Sequence, residues 1–594
     1  MRKKIVSILL TVAICASMVT GCGRQNDDSD TKKITEETAE DTTEGKIQYT
    51  EDVETEETND GSDWVTEEAM EEESSAMDMV GDGYTEAADG TAATDQAYNS
   101  SEAKSEAYVP RYDDELAPSN NEEYSEVSEN PFYAVKETPL STFSADVDTA
   151  SYTNIRRMIE SGYDVEDIPS DAVRIEEMLN YFTYDLKKPK GNTPFAVTTE
   201  VSQCPWNDEA ELLMVGISTK DIDFSKAPAS NLVFLLDVSG SMSDEDKLPL
   251  LQKAFSMLTD NLTSKDRVSI VTYASDVQVV LEGAKGSDTE EILSAINELY
   301  AGGATNGGDG IQTAYELAEA NFIKGGNNRV ILATDGDLNV GPSSEEELEA
   351  LITEKKESGV FLSVLGFGTG NLKDNKMEVL ADKGNGNYSY IDSNREAKKV
   401  LVKEMGATLM TVAKDVKFQV EFNPEVVESY RLIGYENRVM DDFDFADDTK
   451  DAGEIGAGHS VIALYEIIPT SVLEDGGDDS IKLKYQDGYV TKNNSSGGKK
   501  DGDYCTVKIR YKEPDGTKSK ESEYPVEGDS YTSKPSEDFQ FAARVAQFGM
   551  ILKDSKYVGD SNLEDVLDGL SELDLDDEYK MEFYYLVKMI GGFR

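Results

Sequence analysis

The run Asn231–Val238, Asn-Leu-Val-Phe-Leu-Leu-Asp-Val, is apolar at nearly every position. A strand that reads this way, instead of alternating apolar with polar, is buried on both faces, so its sheet needs helices on each side. The neighbouring segments supply them. Strand-like stretches at Val268–Ala274, Val277–Leu281, Arg329–Ala333, Val360–Phe367 and Tyr388–Ile391 alternate with helical ones at Lys247–Leu262, Thr289–Leu299, Ile311–Phe322, Ser344–Ser358, Lys373–Asp382 and Glu396–Met405. This alternation predicts an α/β domain over residues 229–404, built on a doubly wound, mainly parallel sheet with Val277–Leu281 at an edge.

The flanks have a different texture. Residues 131–228 start with two expected helices, Thr149–Ser161 and Asp171–Phe182, followed by strands at Phe195–Ser202 and Leu212–Thr219. Residues 405–594 are β-rich first, with Val416–Phe422, Ser460–Ile468, Ile481–Tyr485 and Tyr504–Tyr511 separated by Gly-rich turns. They then turn helical at Phe539–Leu552, Leu563–Leu573 and Tyr579–Ile590. Strands of similar kind before and after the α/β region predict that it is inserted into a β-sandwich contributed from both sides.

The N-terminus reads as an export signal over 1–21. Arg2, Lys3 and Lys4 precede an apolar run of 15 residues, Ile5–Val19, shorter than the about 20 needed to span a bilayer. The run ends in Val19-Thr20-Gly21-Cys22, which resembles the bacterial lipobox, and this implies lipidation of Cys22 and a membrane-anchored protein facing outside the cytoplasm. Several acyl chains would anchor it stably, where one is marginal. Residues 22–130 hold 34 acids against 6 bases and show no sustained apolar period. Such a stretch cannot bury enough surface to offset its ordering entropy, so it is expected to be a disordered acidic tether, with a span of roughly 55–60 Å.

The inventory of chemistry-bearing side chains is narrow. The chain of 594 residues has 119 Asp and Glu against 56 Lys and Arg, for a net charge of −63, which argues against nucleic acid as a partner. It has one His, His459, and four Cys, so a His-rich zinc centre or a Cys₄ centre is excluded. Cys204 and Cys505, the two outside the signal and lipobox, pair or remain buried thiols, and free thiols are the favoured reading. A metal in this protein must be held by oxygen.

Three oxygen-rich segments follow strands of the α/β region or lie in nearby loops: Asp237-Val238-Ser239-Gly240-Ser241, Gly302–Gly308 with Thr305, and Thr334-Asp335-Gly336. Open α/β sheets bind ligands beyond the carboxyl ends of their strands. Two carboxylates and three hydroxyls converging there suit a hard octahedral cation, Mg²⁺ or Mn²⁺. This set resembles the metal-ion-dependent adhesion site of von Willebrand factor type A domains. Asp237, Ser239 and Ser241 match its D-x-S-x-S motif, Thr305 its loop threonine and Asp335 its second aspartate. The resemblance implies that the hydroxyls ligate the metal, that the aspartates act largely through water, and that a Glu or Asp of a protein partner completes the shell. The stretches Leu140–Tyr152 and Lys450–His459 extend the resemblance to bacterial lipoproteins that carry such a domain between an N-terminal region and a C-terminal domain.

The function expected is therefore a surface lipoprotein that binds protein partners through a divalent cation. An envelope structural or assembly role, with a purely structural metal, is the alternative. Asp244 and Glu245 stand where a second, Ca²⁺ site occurs in integrin β chains; acids in the first turn of a helix are the ordinary reading. Asp335-x-Asp337-x-Asn339 imitates the start of an EF-hand, but Val340 stands where that loop needs Gly. No G-x-S-x-G elbow and no phosphate-binding G-x-x-x-x-G-K-[ST] occurs, so a hydrolase built on His459 or an NTPase is not expected, and no enzyme is.

Overall fold

The computed structural model describes residues 121–593 except 146–147, 192, 222–226, 306, 337–344, 405–409, 451, 471, 474–479, 483–488, 492–501 and 515. The export signal, Cys22, the tether up to residue 120 and the EF-hand-like positions Asp337 and Asn339 lie outside the described residues.

Strands β1 (Tyr133–Ala134), β2 (Leu140–Ser144), β3 (Phe195–Gln203) and β4 (Glu211–Thr219) precede the α/β domain. That domain follows as β5 (Ser230–Asp237), β6 (Arg267–Tyr273), β7 (Val277–Lys285), β8 (Asn327–Thr334), β9 (Phe361–Phe367) and β10 (Tyr388–Ile391). Its six strands lie in the order β10-β9-β8-β5-β6-β7, parallel except for the antiparallel edge strand β7. The apolar run predicted to be buried on both faces is β5, at the centre. Its alternate residues Val233 and Leu235 join one core, and Leu232, Phe234 and Leu236 the other. Chain order reverses between β5 and β8, so the ends of these neighbours form the switch point at which such sheets bind ligands.

Beyond the domain come β11 (Thr411–Phe422), β12 (Val427–Ile433), β13 (Ile455–Gly456), β14 (Ser460–Pro469), β15 (Val472–Leu473), β16 (Ser480–Lys482), β17 (Tyr489–Thr491), β18 (Cys505–Lys512) and β19 (Ser519–Val526). Two sheets face each other, β1-β12-β14-β4-β3 and β13-β11-β18-β19, with β2 added on β11. Phe418, Val420, Val507 and Ile509 pack against Leu213, Val215, Ile217 and Tyr465, and Phe422 stacks on Tyr430 at 4.2 Å. The α/β domain lies between β4 and β11, inserted into this sandwich as expected. The other face of β4, with Leu212 and Met214, is covered by helices from both flanks, including Ala150–Glu160 and Glu537–Leu552. Segments 131–228 and 405–594, distinct in sequence, thus share their cores. Cys204 belongs to the helical side and Cys505 to the sandwich interior, each a buried free thiol.

The structure departs from the sequence expectation at several places. The helix expected over Asp171–Phe182 starts only at Ile175, after a short 3₁₀ turn at Ser170–Ala172. Arg174 is extended there, its N–H donating to Ser151 Oγ at 2.9 Å and its buried guanidinium pairing with Glu177 and Asp374. Strand β19 escaped notice because Ser-Lys-Glu-Ser-Glu-Tyr-Pro-Val is mostly polar, which an exposed edge strand tolerates. The tether was expected to reach residue 130, yet 121–130 pack on the body. Glu122 pairs with Arg157 at 3.0 Å, and the Asn130 amide donates to Leu432 O and Gly434 O at 3.2 and 2.8 Å. Polar contacts order this piece, and apolar periodicity does not register them.

The inserted domain is held to its host by buried ion pairs. Arg156, on the helix Ala150–Glu160, contacts Asp392 (2.6 Å) and Glu396 (2.9 Å) of the α/β domain and Glu582 (2.8 Å) of the helix Glu578–Ile590. Removing one member of such a cluster leaves the others buried and uncompensated. Arg156→Ala is expected to cost about 3–5 kcal/mol, read as a lowered denaturation midpoint. Lys188→Ala, which breaks the exposed pair with Asp221, should cost no more than about 1 kcal/mol.

Candidate metal centre

Asp237 is the last residue of β5 and is wholly buried. Its Oδ1 accepts the Ser239 N–H at 2.8 Å, and its Oδ2 accepts the Thr334 hydroxyl at 3.0 Å. The carboxylate therefore fixes the first loop and is itself fixed by the neighbouring strand. Burial pushes its pKa up to about 6, against the pull of the Ser239 hydrogen bonds, and the nearby Asp335 charge adds to the rise. A buried carboxylate in this state is relieved by a nearby cation.

The hydroxyls stand in front of it. Ser239 is buried, Ser241 is exposed, and their Oγ atoms are 3.0 Å apart. The second loop is braced to the first through its backbone, with Gly240 N–H donating to Gly303 O (3.0 Å) and Gly302 N–H to Val238 O (2.8 Å). Ser275 Oγ accepts the Ala304 N–H at 2.9 Å, which steadies the loop just ahead of the buried Thr305. Asp335 follows β8, whose Ala333 is in register with Leu236 of β5, so the two aspartates end adjacent parallel strands.

Lys247 was not foreseen. Its ammonium lies 3.0 Å from Asp335 Oδ2, and both side chains are almost fully buried. Gly368, at φ +77°, makes room for the lysine stem: a Cβ there would collide with Lys247 Cγ and Cε. Thr334 also went unread as the partner of Asp237, although it sits directly before Asp335. Ser, Thr and Lys at such positions carry no periodic signal; only the fold brings them together. Asp244 and Glu245 are exposed in the turn preceding the helix Leu248–Thr259, outside its first turn, which contains no acid. Among the described residues no group of three or more His, Cys, Asp and Glu side chains is placed to hold a metal. The hydroxyls are thus what distinguishes the Asp237 site.

His459 lies elsewhere, lining a cavity of about 590 Å³ at the amino ends of β8 and β10, between the inserted domain and the sandwich. Its backbone carbonyl accepts the Thr219 N–H (2.9 Å) and hydroxyl (3.1 Å), tying the main chain before β14 to the end of β4.

Three family models match the chain: von Willebrand factor over 118–214, von Willebrand factor type A domain over 231–404, and the C-terminal region of uncharacterized protein YfbK over 407–592. Fold and matches define a protein with a von Willebrand factor type A domain set in a larger body. Uncharacterized protein YfbK of Escherichia coli K12 is 40% identical over 479 residues, covering 79% of this chain and 81% of that protein. The chain belongs to the YfbK family. Human inter-alpha-trypsin inhibitor heavy chain H3 is 27% identical over 164 residues, 26% of this chain but only 18% of its own length. Among solved structures, a von Willebrand factor type A protein from Catenulispora acidiphila is 15% identical, covering 66% of this chain and 89% of its own, with a TM-score of 0.38.

Two outcomes test the local physics. Gly368→Ala should displace Lys247 from Asp335 and strain a backbone at positive φ, costing at least about 1 kcal/mol in denaturation. Burial lowers the pKa of His459 below its ordinary 6.5. Its native form therefore binds fewer protons than the unfolded chain, and stability is lost as pH falls below 6.5. The lone imidazole resonance in proton NMR should titrate below that value, and His459→Gln should flatten the acid-side loss of Tm.

Proposed function

We propose that this protein is a lipid-anchored surface protein whose α/β domain binds Mg²⁺ or Mn²⁺ and, through it, an acidic residue of a protein partner. Ser239, Ser241 and Thr305 would ligate the cation, with Asp237 and Asp335 behind them. The observation that carries this reading is Asp237: a wholly buried carboxylate with a raised pKa, its two oxygens aiming the serine loop and Thr334, at the switch point of the sheet. When bound, the cation would supply a Lewis-acidic position for an incoming carboxylate.

The chain's own residues do the rest. Asp237 orients Ser239, Thr334 orients Asp237, and Lys247 holds Asp335 in place. The exposed Ser241 and the exposed Gly303 and Ala304 leave the face open to a macromolecule. The alternative, a metal that only stabilises the loops, is less favoured because Gly240–Gly303 and Gly302–Val238 hydrogen bonds already brace them. Cys22 supports the anchor through the signal and lipobox around it. With a single His in the sequence and no nucleophile–base pair among the described residues, a binding protein is favoured over an enzyme.

Isothermal titration with Mg²⁺ and Mn²⁺ tests the site. Asp237→Ala and Ser239→Ala should weaken binding by roughly 10–100-fold while circular dichroism stays unchanged. Partner capture from an envelope extract should be strong with Mg²⁺, absent with EDTA and absent for Asp237→Ala. Equal capture under all three conditions would reject the metal-bridged reading.

A further inference from the structure

The helix Asp374–Lys383 of the α/β domain turns a face of acids toward the host. Asp374, Glu378 and Asp382 recur at four-residue spacing, so they share that face. Two host guanidiniums receive them. Arg174 pairs with Asp374 at 2.5 Å and with Glu177 of the helix that follows it, Ile175–Asn180. Arg438, in the turn after β12, meets Glu378 at 3.2 Å, Asp148 at 3.3 Å and also Asp382. Neutral donors add to these contacts. The Ser151 N–H donates to Glu177 at 2.8 Å, the Tyr388 N–H to Asp148 at 2.7 Å, and the Asn437 amide to Glu378.

Among the described residues, five carboxylates thus face two guanidiniums, and all of these groups except Asp382 are buried. The surroundings supply little relief. Glu176, beside Glu177, adds negative charge, and the Lys553 ammonium nearby is directed at Glu436, 3.8 Å away. The phenols of Tyr124 and Tyr388 lie near Asp374 and stay neutral, since burial holds them above the ordinary phenol range. Carboxylates crowded onto shared guanidiniums away from water do not all remain ionised.

Two of them carry the surplus. Burial pushes Glu177 up to about 7 against the pull of Arg174, and the Glu378 charge adds to the rise. Burial raises Glu378 as well, against Arg174 and Arg438, with Asp374 and Asp382 adding to it. An exposed glutamate titrates near about 4.3. Between that value and 7 the closed seam therefore binds more protons than an opened one. The seam is tightest where the proton is held and weakens as pH rises through 7.

We propose that this seam is a pH-sensitive clasp: a proton on the Glu177–Glu378 pair locks the helix Asp374–Lys383 onto the host, and its release loosens that helix. Without the proton, Glu177, Asp374 and Glu378 are all charged around Arg174, while Arg438 is already shared with Asp148 and Asp382. Repulsion then acts across the seam, because Asp374 and Glu378 belong to the inserted domain and Glu177 to the host. The helix starts just after Lys373, whose backbone lies against Gly336, the neighbour of Asp335. The clasp therefore grips a segment that borders the candidate metal loops, and it needs no bound cation to act.

Hydrogen exchange of the full chain, corrected for the base-catalysed intrinsic rate, tests the clasp. Protection of the helix Asp374–Lys383, read against β18 of the sandwich, should fall roughly tenfold between pH 6.0 and 8.5. Glu378→Gln keeps the shape of the protonated acid, so it should match wild type at pH 6.0 and hold that protection at 8.5. Glu177→Gln should behave alike, and it carries the test where Glu378→Gln does not fold. Glu436→Gln removes another buried glutamate raised to about 7 and should keep the wild-type response. The clasp is rejected if wild-type protection is flat over this range, if neither Glu177→Gln nor Glu378→Gln blunts the fall, or if Glu436→Gln abolishes it.

Discussion

The architecture depends on a few buried guanidiniums. Arg156 joins three carboxylates from two other parts of the chain, Arg174 pairs Glu177 with Asp374, and Arg438 contacts Asp148, Glu378 and Asp382. Each lies at a seam between the inserted α/β domain and its host. An apolar seam would adhere over a range of orientations. Ion pairs withdrawn from water are directional, and a misplaced one costs several kcal/mol. The insertion is therefore held in one pose, and the loops that carry Asp237 and Asp335 face a fixed direction relative to the sandwich.

At those loops the same economy of charge recurs on a smaller scale. Asp237 is buried with hydrogen-bond donors alone, and Asp335 has an ammonium at 3.0 Å. One carboxylate is thus held by neutral donors while its neighbour already has a positive charge beside it. Under the cation-binding proposal, neutral hydroxyls would stand in front of the ion and the Asp237 carboxylate behind it.

Much of the domain was legible in advance because two-sided burial writes itself as apolar runs. Each α/β strand lies within a few residues of its expected position; of the five candidate ligand positions, Asp237 ends β5 and the other four fall outside the strands. The sandwich was read less completely. Strands such as β4, buried on both faces, were visible, whereas β12, with Glu428, Ser429 and Arg431 in its run, and the polar edge β19 were not. Arg431 is buried by pairing with Glu466 across the sheet, a compensation that hydropathy cannot register. Residues 121–130, ordered by polar contacts such as Glu122–Arg157 and Asn130–Gly434, were missed for the same reason.

The sequence by itself determined the alternation of strand and helix and the insertion between two β-bearing flanks, since these rest on periodicity and composition within short windows. Only the tertiary structure decided that Lys247 faces Asp335, that Thr334 holds Asp237, that both flanks build common cores and that residues 121–124 are pinned beside the loop that follows β9. Those contacts join residues as far apart as 88 positions at Lys247–Asp335 and 426 at Arg156–Glu582. Polar pairs of that separation form only once the apolar cores have set the strands in register.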